Sequence, residues 1–122
     1  MRNNLCEGLN MSGDVIQYYV YVIDLDKSIL IKEKTFRDAN LQYEEGKPCV
    51  YVGQSYLKPR ERFQKHKDGY KAGRKFVTKY GRWVKKKRIP DKNPHLTRPA
   101  AEKREKEVAE ILKKRGWAVW TN

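Results

Sequence analysis

Two short runs of β-branched and aromatic residues limit this chain to a small domain built on a sheet. Val15 to Leu25 read VIQYYVYVIDL, and Cys49 to Gly53 read CVYVG after a proline. Residues of these types are enriched in strands, so both runs predict buried strands. The chain has 122 residues, of which 39% are hydrophobic. A chain of this length and composition is expected to form one domain around one small core.

Glycine, proline and the apolar periodicity define the elements predicted in the middle of the chain. Residues 28–36 (SILIKEKTF) predict a second strand, whereas residues 37–48 are polar and typical of a loop. A helix is predicted to begin at Pro59 and to end near Gly69, because proline suits the first turn of a helix. A shorter helix is predicted over residues 73–81, which lie between two glycines.

The C-terminal third contains a helix with clear boundaries. Residues 82–89 predict a strand or an extended edge, and residues 90–97 a turn-rich linker. Thr97 can cap a long helix and Gly116 can end it, after which residues 117–120 (WAVW) predict a last short strand. This order of elements is typical of a small α/β or α+β domain. The helix face predicted from 3–4 spacing consists of Ala101, Arg104, Val108, Ile111, Leu112 and Arg115.

The formal net charge of +13 is concentrated in one stretch of the chain. From Lys58 to Arg88 there are fourteen basic and two acidic residues, a net charge of +12, with five aromatic residues interleaved. The aromatic residues argue against a disordered tail, and the clustering favours a phosphate-binding face over a solvated lysine-rich surface. The predicted partner is therefore nucleic acid, with DNA first and RNA possible. The residues predicted to contact it are Lys58, Arg60, Lys65, Lys67, Lys71, Arg74, Lys75, Lys79, Arg82, Lys85, Lys86, Lys87 and Arg88.

Several classes of protein are excluded by what the sequence lacks. It has no run of about 18 apolar residues, so no membrane-spanning helix and no membrane partner are expected. Residues 1–14 lack the apolar segment of a signal peptide and predict a loose polar arm, which makes the cytoplasm the expected compartment. Cys6 and Cys49 are then expected to be free thiols. The cysteines and the histidines, His66 and His95, have no zinc-site spacing, and His95 is predicted to lie on the surface.

A set of tyrosine, arginine and histidine residues is the pattern that points to catalysis. Tyr19 and Tyr21 are two apart in the first strand and therefore share a face, while Tyr51 lies in the second. Packing is the usual role of tyrosine in a strand and stays the alternative to a chemical role. Arg62 and His66 are one helical turn apart, and the phenylalanine after Arg62 is expected to face the core. Beside a phosphate, arginine can bind oxygens and neutral histidine can accept a proton; a surface histidine is the alternative.

The succession YVY, YVG, R-F-x-x-H and a helix that carries glutamate resembles the GIY-YIG nuclease superfamily over about residues 17–122. The resemblance implies a domain over residues 15–122 with a small, mostly antiparallel three-stranded sheet flanked by helices. Because the family joins its two motif strands by a short hairpin, residues 26–48 are expected to be a hairpin insertion. The implied activity is that of a DNA endonuclease that hydrolyses phosphodiester bonds with one metal ion, Mg²⁺ or Mn²⁺.

The same resemblance assigns roles to the motif residues. Tyr21 and Tyr51 match the two motif tyrosines, and Gly53 matches the glycine that closes the second motif. Arg62 matches the arginine that contacts the scissile phosphate, and His66 is similar to a histidine found one helical turn later in many members. Tyr21 would orient or deprotonate the attacking water, and Tyr51 would hydrogen-bond the nucleophile or the phosphate.

The metal ligand and two departures complete the expected site. Glu105 matches the metal-binding glutamate of the family, with Glu107 as the second choice, and Asn122 could match a terminal asparagine of some members. Tyr19 stands where the family has its first glycine. Gln54 stands where some members have a lysine, so the role of base would fall to His66 or to water.

Two other functions are compatible with the sequence. A nucleic-acid-binding module without catalysis on the same scaffold explains the charge and the interleaved aromatic residues equally well. A basic component of an RNA or protein assembly is the third possibility. The oligomeric state is open, and specificity would have to come from the insertion at 26–48, from the basic residues at 67–88 or from dimerisation.

Overall fold

A computed structural model describes residues 16–56, 63–64, 75–87, 89–90 and 93–121. In this part of the chain, four strands form one mixed sheet, and helices pack against both of its faces. An α/β domain with helices flanking a sheet is therefore confirmed. The strands are β1 (Tyr19–Leu25), β2 (Cys49–Ser55), β3 (Gly81–Val84) and β4 (Ala118–Thr121). The helices are α1 (Ile29–Lys32), α2 (Lys34–Asp38), α3 (Lys75–Tyr80) and α4 (Arg98–Lys114).

The sheet has the order β3-β1-β2-β4, and β1 is antiparallel to both β2 and β3. The fourth strand, β4, pairs with β2 in parallel. The predicted count of three strands is thus wrong: the sheet has a fourth strand, which pairs in parallel, while the other two pairings are antiparallel as predicted. The physical reason is the 17-residue helix α4, which returns the chain along the sheet so that β4 runs in the same direction as β3 and β2.

The insertion at 26–48 is helical, so both the strand predicted at 28–36 and the hairpin insertion are wrong. The Asp26 carboxylate accepts a hydrogen bond from the backbone N–H of Ser28 at 2.9 Å, which turns the chain into α1. Ile29 and Phe36 are fully buried, whereas Ile31 is 80% exposed. Ile29 belongs to α1 and Phe36 to α2, and Glu33 between the two helices is extended, so the chain folds back and buries one residue of each helix.

Asn40 fastens the end of the insertion to the sheet. Its buried amide donates a hydrogen bond to the carbonyl of Phe36 at 2.9 Å and accepts one from the N–H of Val119 at 2.7 Å. It also accepts a hydrogen bond from the amide of Gln42, which donates a second one to the carbonyl of Trp117. The insertion is therefore part of the core structure and supports β4.

Replacing Asn40 by alanine is expected to lower the free energy of unfolding by about 1–3 kcal/mol. The substitution leaves the buried N–H of Val119 without its acceptor, which costs more than the average hydrogen bond. Urea unfolding of the variant measures the loss. Leu41→Ala is the matched control, because Leu41 is 87% exposed and should change the stability by no more than about 0.5 kcal/mol. Equal stability of both variants would contradict this role of Asn40.

Two apolar clusters, one on each face of the sheet, form the core. The first packs the sheet against α1, α2 and α3 and contains Tyr21, Ile23, Tyr51, Ile29, Phe36, Phe76, Val77 and Tyr80. The second packs the sheet against α4 and contains Val20, Val22, Val50, Val52, Val108, Leu112 and Trp117. Half-buried Phe63 packs against the first cluster, which confirms that this phenylalanine faces the core.

The predicted C-terminal helix is confirmed, but its buried face is different. The hydroxyl of Thr97 accepts a hydrogen bond from the N–H of Ala100 at 3.2 Å, and Gly116 has a φ of +86°. The buried face consists of Ala101, Glu105, Val108, Ala109 and Leu112, so Arg104, Ile111 and Arg115 were wrongly included. The last strand is confirmed with a shift of one residue, at Ala118–Thr121.

The other predicted elements are shorter than expected. The helix at 73–81 is found at Lys75–Tyr80, and the strand at 82–89 at Gly81–Val84. Of the helix predicted from Pro59, only residues 63 and 64 belong to the described part, and both are helical. The arm at 1–14 lies outside the described residues.

The linker before α4 is tied to β1. The amide of Asn93 exchanges two hydrogen bonds with the backbone of Val20, at 2.8 and 2.7 Å. His95 forms a backbone bridge with Tyr18, so it is half-buried and the prediction of a surface histidine is wrong.

Cys49 is a buried free thiol, as predicted, and burial raises its pKa to about 11; Cys6 lies outside the described residues. Each helix of the described part is too short or too polar to traverse a bilayer.

Candidate functional site

The two motif tyrosines lie side by side on one face of the sheet. Tyr21 in β1 and Tyr51 in β2 are each 2% exposed, and their ring centroids are 6.1 Å apart at an interplanar angle of 40°. Antiparallel pairing brings them together, because Tyr21 is opposite Gly53 and Tyr51 is opposite Ile23. The rings thus belong to the first core cluster, and they have a packing role whatever else they do.

Gly53 is glycine because the Tyr21 ring occupies the space where a side chain would begin. A Cβ at Gly53 would lie 2.5 Å from the hydroxyl oxygen of Tyr21 and 2.7 Å from its Cζ. It would also lie 2.8 Å from a ring carbon of Tyr51. The two tyrosines and the glycine therefore form one packed unit, defined here as the Tyr–Gly unit.

The Tyr–Gly unit lies at the end of the sheet where β4 stops. β4 ends at Thr121, which is opposite Val52, so Gly53 is the first residue of β2 beyond the β4 ladder. The hydroxyl of Thr121 donates a hydrogen bond to the carboxylate of Glu105 at 3.1 Å. The hydroxyl of Tyr21, beside Gly53, and the carboxylate of Glu105, beside Thr121, therefore lie at adjacent positions along the strands.

Glu105 lies near this end of the sheet but on its opposite face. It lies on the side of α4 that packs on the second cluster, whereas Tyr21 and Tyr51 belong to the first. The described residues thus do not bring the tyrosines and Glu105 together on one face of the sheet.

The structure distinguishes clearly between the two candidate metal ligands. Glu105 is only 8% exposed, and a buried carboxylate is rare unless it has a partner. Glu107 points away from the sheet and forms an ion pair with Arg104, at 3.0 Å between the Glu107 carboxylate and Nη1. Arg104 also donates a hydrogen bond to the carbonyl of Pro90. Of the two glutamates, Glu105 is therefore the one that lies against the sheet, beside the end of β4.

Gln54 supplies a second oxygen on the same face as Glu105. It follows Val52 by two residues in β2 and pairs with Val20, so its side chain points to the α4 face. Its Oε1 atom is buried and has no hydrogen-bond partner among the residues that the structure describes. A carboxylate and an amide oxygen are hard ligands of the type that Mg²⁺ binds. The donor chemistry at this end of the sheet therefore fits a divalent cation.

A divalent cation at this end of the sheet would have few protein ligands. No three His, Cys, Asp or Glu side chains among the described residues lie close enough to hold a metal ion together. A Mg²⁺ ion usually keeps several waters and is bound through one or two carboxylates plus phosphate. A site with Glu105 and Gln54 is compatible with that pattern.

Several predicted site residues lie outside the described part of the chain. These are Arg62, His66 and Asn122, and, among the predicted nucleic-acid contacts, Lys58, Arg60, Lys65, Lys67, Lys71, Arg74 and Arg88. The backbone of Lys75 belongs to α3. The side chains of Lys79, Arg82, Lys86 and Lys87 are exposed, and Lys85 is half-buried with its ammonium 5.3 Å from the centre of the Trp117 ring.

Sequence reasoning missed the parts of the site that depend on tertiary contacts. No local pattern predicts the hydrogen bond from Thr121 to Glu105, because sixteen residues separate the two. Gln54 could have been found, since it follows the YVG motif directly, but only its place on the α4 face makes it a ligand candidate.

Comparisons with known proteins found no match to the chain among protein-family models, curated proteins or solved structures.

Proposed function

We propose that the chain is a metal-dependent DNA endonuclease that hydrolyses phosphodiester bonds by a GIY-YIG-type mechanism with one metal ion. The observation that carries the proposal is the Tyr–Gly unit, in which Gly53 is sterically coupled to Tyr21 and Tyr51. Glu105, at the neighbouring level of the sheet end, adds a buried carboxylate. The order of these residues in the sequence is the order that the resemblance requires.

Arg62 and His66 enter the proposal through their neighbour Phe63. Phe63 packs against the cluster that contains Tyr21 and Tyr51. We place Arg62, the preceding residue in the sequence, as the group that binds the nonbridging oxygens of the scissile phosphate. His66 or a water molecule accepts the proton of the nucleophile, since Gln54 cannot act as a base.

The tyrosines are suited to positioning. A buried phenol is costly to ionise, so Tyr21 contributes mainly by holding the attacking water through its hydroxyl. Tyr51 packs beside it and orients its ring. Glu105 and Gln54 would hold Mg²⁺ or Mn²⁺, which supplies neutralisation of the charge that develops on the leaving 3′ oxygen. Thr121 fixes the carboxylate of Glu105 for that purpose.

A nucleic-acid-binding module without catalysis is the second candidate. The observation that favours it is the burial of Tyr21 and Tyr51, since each is 2% exposed and fully explained by packing. The predicted nucleic-acid contacts that are exposed in the described part, Lys79, Arg82, Lys86 and Lys87, serve this function equally well. Salt-sensitive binding without cleavage under any divalent metal would favour this candidate.

Arg62→Ala is expected to lower the rate of plasmid nicking by about a hundredfold to a thousandfold, because it removes charge stabilisation from the phosphate. The measurement is conversion of supercoiled plasmid to the nicked form in Mg²⁺ or in Mn²⁺. Lys103→Ala, which removes an exposed cation from α4, is the control for the loss of charge alone. Full activity of Arg62→Ala would contradict its role, and absence of nicking by the unchanged protein would contradict the proposed function.

A further inference from the structure

The strand β3 forms one border of the sheet and carries an exposed tryptophan. It is the outer strand in the order β3-β1-β2-β4, and Trp83 at its centre is 49% exposed. The other two tryptophans of the chain are buried or half-buried in the core clusters. An indole of this exposure presents a flat aromatic surface on which a planar group can stack.

Arg82 holds the indole in place. Its guanidinium carbon lies 4.3 Å from the centre of the Trp83 ring, which is a stacking distance. The same guanidinium lies 3.5 Å from the carboxylate of Asp24, measured from Nε. Burial raises the pKa of Asp24, and the charge of Arg82 opposes that rise. The ion pair and the stack together orient a planar cation and an aromatic ring on one strand.

The surroundings of the pair suit a polyanion. Residues 79–87 read KYGRWVKKK and contain five cations and no acid. An open pocket of about 280 Å³ adjoins Arg82, and its lining includes the cations Lys32 and Lys79 and the carboxylate of Asp26. Lys79 is paired with Glu33 and Arg82 with Asp24, so the pocket itself is close to neutral. The positive charge for a phosphate next to the aromatic ring comes instead from the exposed side chains of Lys86 and Lys87.

An exposed aromatic ring beside phosphate-binding cations is the chemistry that recognises unpaired nucleotides. In a duplex the bases stack on one another and offer no free face, so contacts from lysine and arginine to the backbone suffice. An unpaired base can instead stack on an indole or a guanidinium plane, which contributes about 1–3 kcal/mol per base. Trp83 would have no comparable contact with a fully paired duplex.

We propose that Arg82 and Trp83 form a stacking platform for an unpaired base, so that DNA with a single-stranded segment is the preferred form of the substrate. This inference rests on the proposed function, because it names the form of DNA that the nuclease would receive. Trp83 pairs with Asp24, three residues along β1 from Tyr21. That separation along β1 is about 10 Å, or about three base steps along a strand. By the alternation of the strands, Trp83 lies with Val20 and Val22 on the α4 face, which is the face of Glu105 and not that of Tyr21. The platform is thus on the same side of the sheet as the proposed metal ligand.

The test compares two DNA hairpins with the same stem, each closed by a non-nucleotide linker so that the loop has no unpaired base, one blunt and one with a thymidine tail of about eight nucleotides. Affinity is measured by fluorescence anisotropy in the absence of divalent metal, so that cleavage plays no part. Trp83→Ala is expected to weaken binding of the tailed hairpin by about fivefold to a hundredfold and to leave the blunt hairpin within about twofold. Trp83→Phe should retain most of the preference, since a phenyl ring also stacks.

Two controls separate stacking from charge and from folding. Arg82→Lys keeps the charge but removes the planar group, so it should reduce the preference for the tail, whereas Lys114→Ala on α4 should weaken both hairpins equally or neither. Quenching of tryptophan emission by the tailed hairpin should disappear in Trp83→Phe, and circular dichroism checks that each variant is folded.

Equal affinities of the unchanged protein for both hairpins, or equal losses on both in folded Trp83→Ala, would overturn the platform. A preference for the tail in a protein that does not nick any DNA would overturn the nuclease and leave the platform standing. A preference for an RNA tail over the DNA tail would overturn the choice of DNA as the ligand.

Discussion

Replacing Glu105 by glutamine is expected to lower the rate of metal-dependent nicking by about a thousandfold or more. The substitution removes the charge that would hold the divalent ion, and loss of several kcal/mol of charge stabilisation corresponds to this factor. Glutamine has nearly the same shape, and its Oε1 can still accept the hydrogen bond from Thr121. The fold should therefore survive, which circular dichroism of the variant checks.

Glu107→Gln is the matched control on the same helix. Glu107 is exposed and paired with Arg104, so its loss should change stability by no more than about 1 kcal/mol and leave nicking near that of the unchanged protein. Binding of Mn²⁺, followed by electron paramagnetic resonance, gives a readout without activity and should weaken only in Glu105→Gln. Loss of Mn²⁺ binding in Glu107→Gln instead would assign the metal to the other residue, and unchanged binding in both would contradict a carboxylate site on α4.

The elements that the sequence predicts well are those with local causes. Thr97 and Gly116 bound α4 because a hydroxyl cap and a positive φ are properties of single residues. The runs that became β1 and β2 are apolar on both faces because helices cover both sides of the sheet, and such runs are recognisable as buried strands.

The elements that the sequence predicts poorly depend on contacts between residues far apart in the chain. SILIKEKTF looked like a strand, yet Ile29 and Phe36 became helical because the surface they cover is the face of β1 and β2. The parallel pairing of β4 follows from the length and path of α4, which no local pattern encodes. The helix face was wrong at Arg104 and Glu105 for a similar reason, since a charged residue took the buried position that periodicity reserves for apolar ones.

The candidate site likewise has residues that the sequence identifies and an arrangement that it does not. Tyr21, Tyr51 and Gly53 could be chosen from the motif alone, and the steric coupling among them gives a physical reason for the glycine. The sequence could not predict that Glu105 would approach the sheet end from the other face. In the proposed mechanism the substrate would therefore have to contact both faces at this end of the sheet, which an unpaired strand can do more easily than a stacked duplex.

Gly53→Ala is expected to lower the free energy of unfolding by about 1–3 kcal/mol, because it forces a methyl group into an occupied space. The added carbon would lie 2.5 Å from the Tyr21 hydroxyl and 2.8 Å from the Tyr51 ring, and neither ring can retreat, since both are buried. Nicking should fall with it, because a shift of about 1 Å in a positioning group can cost about a hundredfold. Urea unfolding measures the first effect and the plasmid assay measures the second.

A double-mutant cycle with Tyr21→Phe determines whether the cost arises from the Tyr–Gly unit. Removing the hydroxyl takes away the closest contact but leaves the ring carbon at 2.7 Å, so the stability lost in Gly53→Ala should be recovered in part. Gly46→Ala serves as the control: its φ is +92° and no atom lies within 4 Å of the added carbon. Its cost is one of backbone strain alone, about 1–2 kcal/mol, and should not depend on Tyr21. Independence of Gly53→Ala from Tyr21 would mean that the glycine is required by the backbone, and the steric argument for the unit would be wrong.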